Sequence, residues 1–117
     1  MKSRYTYVWE YEVIPGAEPE FLTHYAPGGT WARLFQRSPG YLSTELYRDR
    51  RQAHRFVTVD HWLTEAAFRE FRGRFATEFD ALDHACARLT RKEALLGELA
   101  AVPEPSANAY DAGLEAP

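Results

Sequence analysis

Hydrophobic and polar residues alternate in three short segments of the chain. Residues 5–14, 41–48 and 54–63 each show a period of two and are rich in aromatic and β-branched side chains, a pattern typical of β-strands. The turn signals Pro15-Gly16 and Ser38-Pro39-Gly40 follow the first strand and precede the second. A short polar link joins the second and third segments, so we expect these strands to pair antiparallel.

Apolar residues at helical spacing occupy the stretches between the strands. Residues 18–37 show this spacing, but a proline and two glycines within 26–30 predict a break in the helix. Thr30 is suited to cap a second short helix that begins at Trp31. Thr64 is the predicted N-cap of a later helix, whose apolar side chains recur at steps of three and four residues. These side chains are Phe68, Phe71, Phe75, Phe79, Leu82, Cys86 and Leu89.

The order of these elements predicts the fold class. Gly73 indicates a bend in the later helix. The pattern of residues 91–102 is compatible with a continuation of this helix or with a fourth strand, and we favour the strand. The order is then β-α-β-β-α-β, an α+β, ferredoxin-like four-stranded antiparallel sheet with both helices on one face. We expect one domain over residues 1–102 and a flexible C-terminal tail over residues 103–117.

Apolar residues occur on both faces of the predicted strands. Tyr7 and Trp9 share one face of the first strand while Val8 lies on the other, and Trp62 and Val59 are divided in the same way in the third strand. In a monomer of this fold the second sheet face contacts water and would be polar. We therefore predict a homodimer whose sheets pack face to face.

Composition and charge narrow the classes of function. The chain has 117 residues, 45% of them hydrophobic, and a net charge of −3, which disfavours binding to nucleic acid or to an anionic membrane surface. The single cysteine, Cys86, excludes an internal disulfide, and the histidine spacings predict no metal site. No apolar run is long enough to span a membrane and no signal peptide is visible, so we expect a cytoplasmic protein.

Two residues are candidate bases. Asp60 shares its strand face with Thr58 and Trp62, and an unpaired carboxylate on an aromatic face has a raised pKa, suited to removing a phenolic proton. A salt bridge to an arginine is the alternative. His24 precedes the helix break at residues 26–30, which could act as a lid; an exposed helix histidine is the alternative there.

Four aromatic residues are candidates for a ligand pocket. Large rings stack on planar ligands, and tyrosine adds a directional hydroxyl. The candidates are Trp9, Tyr11, Trp31 and Trp62. Ordinary core packing is the alternative for each of them. The chain carries no nucleotide-binding fingerprint, phosphate loop or serine-nucleophile motif.

Four short motifs occur in the order and at the spacing of a known family. They are the strand end Val13-Ile14-Pro15-Gly16, the turn Pro39-Gly40-Tyr41, Trp62 at the end of the third strand, and the helix opening Thr64-Glu65-Ala66-Ala67-Phe68. Over about residues 5–100, the chain resembles the antibiotic biosynthesis monooxygenase family of the dimeric α+β barrel superfamily. The resemblance implies a dimeric α+β barrel with a pocket between the sheet and the helices of each subunit.

The resemblance also implies a function. Family members include oxygenases that act on phenols and quinols without a cofactor, so we expect oxidation of a small electron-rich aromatic molecule by O2, with no cofactor. The haem-degrading branch is a poor match, because it has an asparagine where this chain has Trp9 and a histidine where this chain has Ala81. A non-catalytic small-molecule-binding or stress-related dimer, and a solid core without a pocket, are the alternatives.

Overall fold

The computed structural model describes residues 3–103 and contains one four-stranded sheet in this range. Its strands are Tyr5–Val13 (β1), Tyr41–Arg48 (β2), Arg55–Trp62 (β3) and Thr90–Ala100 (β4). The helices are Glu18–Tyr25 (α1), Thr30–Phe35 (α2), Glu65–Arg74 (α3) and Ala76–Cys86 (α4), and Ala87–Leu89 is a 3₁₀ turn. All four predicted strands are therefore present, including the one favoured over a helix near the C-terminus.

The sheet order is β2-β3-β1-β4, and all neighbouring strands are antiparallel. This is the ferredoxin-like arrangement of an α+β protein, as predicted. The register places Asp60 on β3 opposite Tyr7 on β1 and opposite Thr44 on β2. A β-bulge between Tyr41 and Ser43 shifts the β2 register at the start of that pairing, and this shift determines which β2 side chain faces Asp60.

The helices cover one face of the sheet and form an aromatic core with it. The fully buried residues include Phe21 of α1, Phe56 and Trp62 of β3, and Phe71 of α3. Trp62 makes edge-to-face contacts with Phe35, at 5.5 Å between ring centroids, and packs against Phe71 at 5.2 Å. Burial of each such side chain contributes about 1.5–3 kcal/mol before the entropic cost of ordering it.

The break between α1 and α2 lies where the sequence predicts it, but the cap residue differs. Gly29, not Thr30, is the N-cap of α2, and the Thr30 hydroxyl is instead hydrogen-bonded to His24 Nδ1 at 2.9 Å. A Cβ at Gly29 would lie 2.7 Å from the carbonyl oxygen of Thr23. The close approach of α1 to the start of α2 therefore requires glycine here.

The long helix predicted after Thr64 is divided into two. Thr64 caps α3 as predicted, and its hydroxyl accepts a hydrogen bond from the Ala67 N–H at 3.1 Å. The interruption falls at Phe75, with φ −110° and ψ 30°, rather than as a bend at Gly73. Phe75 is half-buried and packs against Phe71, at 5.4 Å between ring centroids. The break therefore lies at an aromatic residue packed on the core, two residues after Gly73.

The other sheet face carries apolar side chains that the described residues leave accessible. We call this surface the outer sheet face; the register pairs Val8 with Val59 at its centre, and both are half-buried. Tyr47 and Leu99 on the same face are about half exposed, at 54% and 53%.

The division into a domain of residues 1–102 and a flexible tail of residues 103–117 remains a prediction, and residues 104–117 of that tail lie outside the described residues.

Candidate functional site

A cavity of about 310 Å³ lies between the inner face of the sheet and the helices. Its walls are mostly aromatic side chains from both layers. The rings that line it belong to Tyr7, Trp9, Tyr11, Tyr25, Trp31, Phe35 and Phe79. The solid-core alternative from the sequence is therefore wrong: aromatic residues fill part of the core and leave a partly open cavity beside it.

The polar floor of the cavity is formed by Thr44, Thr58 and Asp60. Asp60 is 5% exposed, and its Oδ1 accepts a short hydrogen bond from the Thr44 hydroxyl. The Tyr41 hydroxyl lies 2.8 Å from Thr44 Oγ1. Because the single Thr44 proton points to Asp60, Tyr41 donates to Thr44, which makes a chain of hydrogen bonds from Tyr41 to Asp60.

Burial dominates the electrostatics of Asp60. It raises the pKa of this carboxyl group to about 7, and the hydrogen bond from Thr44 opposes that rise. Asp60 takes part in none of the ion pairs among residues 3–103. The alternative prediction for Asp60, a salt bridge to an arginine, is therefore not found among these residues. A carboxyl group with this pKa exchanges its proton near neutral pH.

Two tyrosines hold their hydroxyl groups within the site. The Tyr11 hydroxyl lies 3.2 Å from Thr58 Oγ1, and the Tyr7 hydroxyl accepts a hydrogen bond from Trp62 Nε1 at 3.3 Å. Burial raises the pKa of Tyr7 and of Tyr11 well above the ordinary tyrosine value. Both therefore remain neutral phenols beside Asp60 and offer hydrogen bonds rather than charge.

The solvent-exposed end of the cavity carries charged side chains. Arg72 places its guanidinium 3.7 Å from the centroid of the Phe79 ring and forms an ion pair with Asp80 at 3.4 Å. Asp83 of α4 and Glu93 of β4 also line this end and are exposed. Loss of water around the Glu93 carboxylate where it lines the cavity, and then the negative charge of Asp83, raise the pKa of Glu93.

The structure brings most of the predicted site residues together. Asp60, Trp9, Tyr11 and Trp31 line the cavity. Trp62 lies behind Tyr7 in the core and is fully buried. His24 does not line the cavity: it is hydrogen-bonded to Thr30 and lies 3.7 Å from Glu20.

The sequence patterns did not single out several residues that line the cavity, among them Thr44, Arg72, Asp83 and Glu93. Each lies on a different element, and none has a motif of its own. Thr44 could have been found only from the register of β2 on β3, which depends on the bulge after Tyr41. The described part of the chain contains no group of three potential metal ligands, and none of its helices is long and apolar enough to cross a membrane.

Solved structures share this fold. A variant of SnoaB, a cofactor-independent oxygenase from Streptomyces nogalater, is 21% identical and superimposes with a TM-score of 0.62 over 89% of this chain and 98% of its own. A Bordetella bronchiseptica protein is 18% identical, with a TM-score of 0.66 over 87% of this chain and 100% of its own. A heme-degrading protein from Mycobacterium tuberculosis is 24% identical, with a TM-score of 0.59 over 91% of this chain and 99% of its own. At these identities the likeness shows the fold.

The fold and the cavity define a ferredoxin-like α+β protein with an aromatic pocket between its sheet and its helices. The profile of the antibiotic biosynthesis monooxygenase family matches residues 4–81, and the chain belongs to that family. No protein of curated function matches the sequence. The family predicted from the sequence motifs is thus confirmed.

Proposed function

We propose that this protein is a cofactor-independent monooxygenase that oxidises a small electron-rich hydroxyaromatic molecule with O2. The observation that carries the proposal is a buried carboxyl group, that of Asp60, at the floor of an aromatic cavity. Membership of the family and the likeness to a cofactor-independent oxygenase support the reaction class. Fold alone does not determine the chemistry, so the mechanism is derived from the residues of the cavity.

Asp60 is the proposed general base. Its pKa of about 7 means that near neutral pH a large fraction is ionised, yet the conjugate acid remains strong enough to return the proton. The hydrogen bond from Thr44 occupies Oδ1, which leaves Oδ2 to accept the proton of a substrate hydroxyl. Tyr7 and Tyr11 line the same cavity with neutral hydroxyls and are the proposed donors to the developing phenolate.

The electrons for oxygen reduction come from the substrate anion. The phenolate transfers one electron to O2, and the resulting superoxide and phenoxyl radical combine at a ring carbon that bears hydrogen. Asp60 returns its proton to the peroxide. Cleavage of the O–O bond, with loss of the proton from that carbon, leaves a carbonyl and releases water. In sum, a phenol and O2 give a quinone and water, and Asp60 is regenerated as the carboxylate.

The aromatic walls hold the substrate ring and exclude water. Trp9, Tyr11 and Trp31 contribute rings from both sides of the cavity, and offset or edge contacts with such rings favour planar ligands. Exclusion of water raises the strength of the hydrogen bonds to the phenolate and protects the radical pair from side reactions.

We also propose that the protein acts as a homodimer in the cytoplasm. The apolar centre of the outer sheet face supports the dimer, since Val8, Val59 and Leu99 would leave water if a second copy covered this face. The cytoplasmic location remains a prediction from the sequence.

Oxygen uptake with a panel of hydroquinones, naphthols and anthrone-like phenols tests the proposal. We expect uptake with at least one compound that also raises the melting temperature, and a loss of roughly 10²–10⁴-fold in kcat for Asp60→Asn. His24→Ala is the matched control, because His24 lies off the cavity, and it should retain activity. Binding that is unchanged in Asp60→Asn, with no oxygen uptake by the unsubstituted protein, would favour the non-catalytic binding alternative.

A further inference from the structure

The charged end of the cavity carries more negative than positive charge. Arg72 is the cation that lines this end, and it is already paired with Asp80 outside the cavity wall. Asp83 and Glu93 also line the cavity and form no hydrogen bond or ion pair with the side chains of residues 3–103. The balance of charge at this end is therefore negative, with two carboxylates unmatched.

The same cavity is walled by rings that attract cations. The face of an aromatic ring is negative, so a cation placed over tryptophan or tyrosine is attracted to it. Trp9, Tyr11, Tyr25 and Trp31 contribute four such rings. At the floor, the carboxyl group of Asp60 is 5% exposed and accepts only the Thr44 hydrogen bond among residues 3–103. The cavity thus combines aromatic walls, a buried carboxyl group at its floor and two unpaired carboxylates at its exposed end.

These features disfavour an anionic ligand. A carboxylate or sulfate substituent at the exposed end would lie against Asp83 and Glu93, and like charges placed side by side repel each other. A neutral polyphenol would leave the two carboxylates unmatched. A protonated amine would satisfy both carboxylates and contact the aromatic walls at the same time.

We propose that the ligand of this cavity is a cationic hydroxyaromatic molecule, with its hydroxyl at Asp60 and a protonated amine between Asp83 and Glu93. The proposal deepens the proposed function and rests on it for the position of the hydroxyl group. The amine preference itself is a property of binding. It can therefore be measured without turnover.

Three probes that share one ring test the amine preference. Serotonin, 5-hydroxytryptophol and 5-hydroxyindole-3-acetate carry an amine, an alcohol and a carboxylate on the same hydroxyindole. Dissociation constants would be measured by calorimetry near neutral pH at low and high salt. We expect the amine to bind roughly tenfold more tightly than the alcohol, and the carboxylate to bind most weakly. High salt should reduce the difference, since the exposed carboxylates are then screened.

Variants that remove the negative charges of Asp83 and Glu93 test whether these two residues cause the preference for the amine. In Asp83→Asn combined with Glu93→Gln, the amine and the alcohol should bind within about twofold of each other. Both positions are exposed, so the variant should fold normally. Glu78→Gln removes one charge from the same helix α4, away from the cavity, where Glu78 pairs with Arg37 at 3.8 Å. This control should keep the preference for the amine.

The outcomes separate the two proposals. Equal affinities for amine and alcohol, tighter binding of the carboxylate, or no binding of the amine would overturn the cationic ligand. An amine preference that survives the double substitution would overturn the assigned carboxylates. If the amine preference holds but no hydroxyaromatic amine supports oxygen uptake, the binding inference stands and the oxygenase proposal fails.

Discussion

Thr44 on β2 donates a hydrogen bond from its hydroxyl to Oδ1 of Asp60 on β3, directly across the strand pair. This hydrogen bond favours the ionised form of Asp60, whereas burial favours the protonated form. Thr44 therefore adjusts the proton affinity of the proposed base through this hydrogen bond. It is a positioning residue in this mechanism.

Replacement of Thr44 should move the pH dependence of oxygen uptake. In the unsubstituted protein, kcat should rise with pH through about 7, because the carboxylate form of Asp60 is the base. Thr44→Val removes the hydrogen bond that lowers the pKa, so this limb should move upward by about one to two pH units. Thr44→Ser keeps the hydroxyl and should restore the original profile. A profile that is unmoved by Thr44→Val would contradict the role assigned to Thr44.

Asp60 should also make the stability of the fold depend on pH. The folded-state pKa, about 7, lies above the ordinary value of 3.8, so between these values the folded protein holds a proton that the unfolded chain has lost. The contribution of Asp60 to the free energy of unfolding therefore decreases as pH rises from about 4 to 7, and is constant above that range. The decrease is roughly 4 kcal/mol at most.

Asp60→Asn removes this ionisation and therefore tests the direction in which stability changes with pH. The variant should gain stability relative to the unsubstituted protein as pH rises from about 4 to 7, and the gain should level off above pH 7. Urea denaturation at several pH values measures it. Glu65→Gln is a suitable control, because Glu65 is exposed on α3 and pairs with the exposed Arg69. A stability difference for Asp60→Asn that is the same at all pH values would show that Asp60 is not protonated by burial.

Gly29 and Gly28 provide a matched pair of substitutions at the α1–α2 junction. A Cβ on Gly29 would lie 2.7 Å and 2.8 Å from the carbonyl oxygens of Thr23 and His24, whereas a Cβ on Gly28 would meet nothing within 4 Å. Since backbone atoms cannot move aside cheaply, Gly29→Ala should destabilise the protein by about 1–3 kcal/mol. Gly28→Ala should be neutral or slightly stabilising. Equal melting temperatures for the two variants would disprove the close approach.

The proposed dimer can be tested at the centre of the outer sheet face. Val59→Glu places a charge opposite Val8, and it should shift the protein from about twice its 13.5 kDa mass to the monomer mass in light scattering. Ala85→Glu introduces the same side chain at an exposed position of α4 and should leave the dimer intact. A monomer mass for the unsubstituted protein at micromolar concentration would reject the dimer.

The elements of this fold were predictable because their signals are local. A period of two along Tyr41–Arg48 marks a strand in the sequence, and the structure begins and ends β2 at the same residues. The Thr64 cap likewise depends on atoms within one turn of helix. Two details differ from the prediction. The N-cap of α2 is Gly29, at the close approach of α1 to α2, and the later helix is divided at Phe75, which packs on Phe71.

The candidate site was predictable only in part. Asp60, Trp9 and Tyr11 were selected because they share a strand face, a property of alternation that any strand preserves. The charged end of the cavity was not predicted. Arg72, Asp83 and Glu93 line one cavity only because α3 and α4 pack on the sheet that contains β4. No spacing rule within a single element brings such residues together.

The sequence by itself determined the order of strands and helices, which strand face is aromatic, and that a carboxylate lies on it. Tertiary structure decided what surrounds that carboxylate. The bulge between Tyr41 and Ser43 moves the β2 register by one residue, so that Thr44 rather than Ser43 faces Asp60. Alternation within a strand determines which face of the sheet each side chain lies on. The environment of Asp60 depends instead on contacts between distant segments, whose register is set by the packing of the whole sheet.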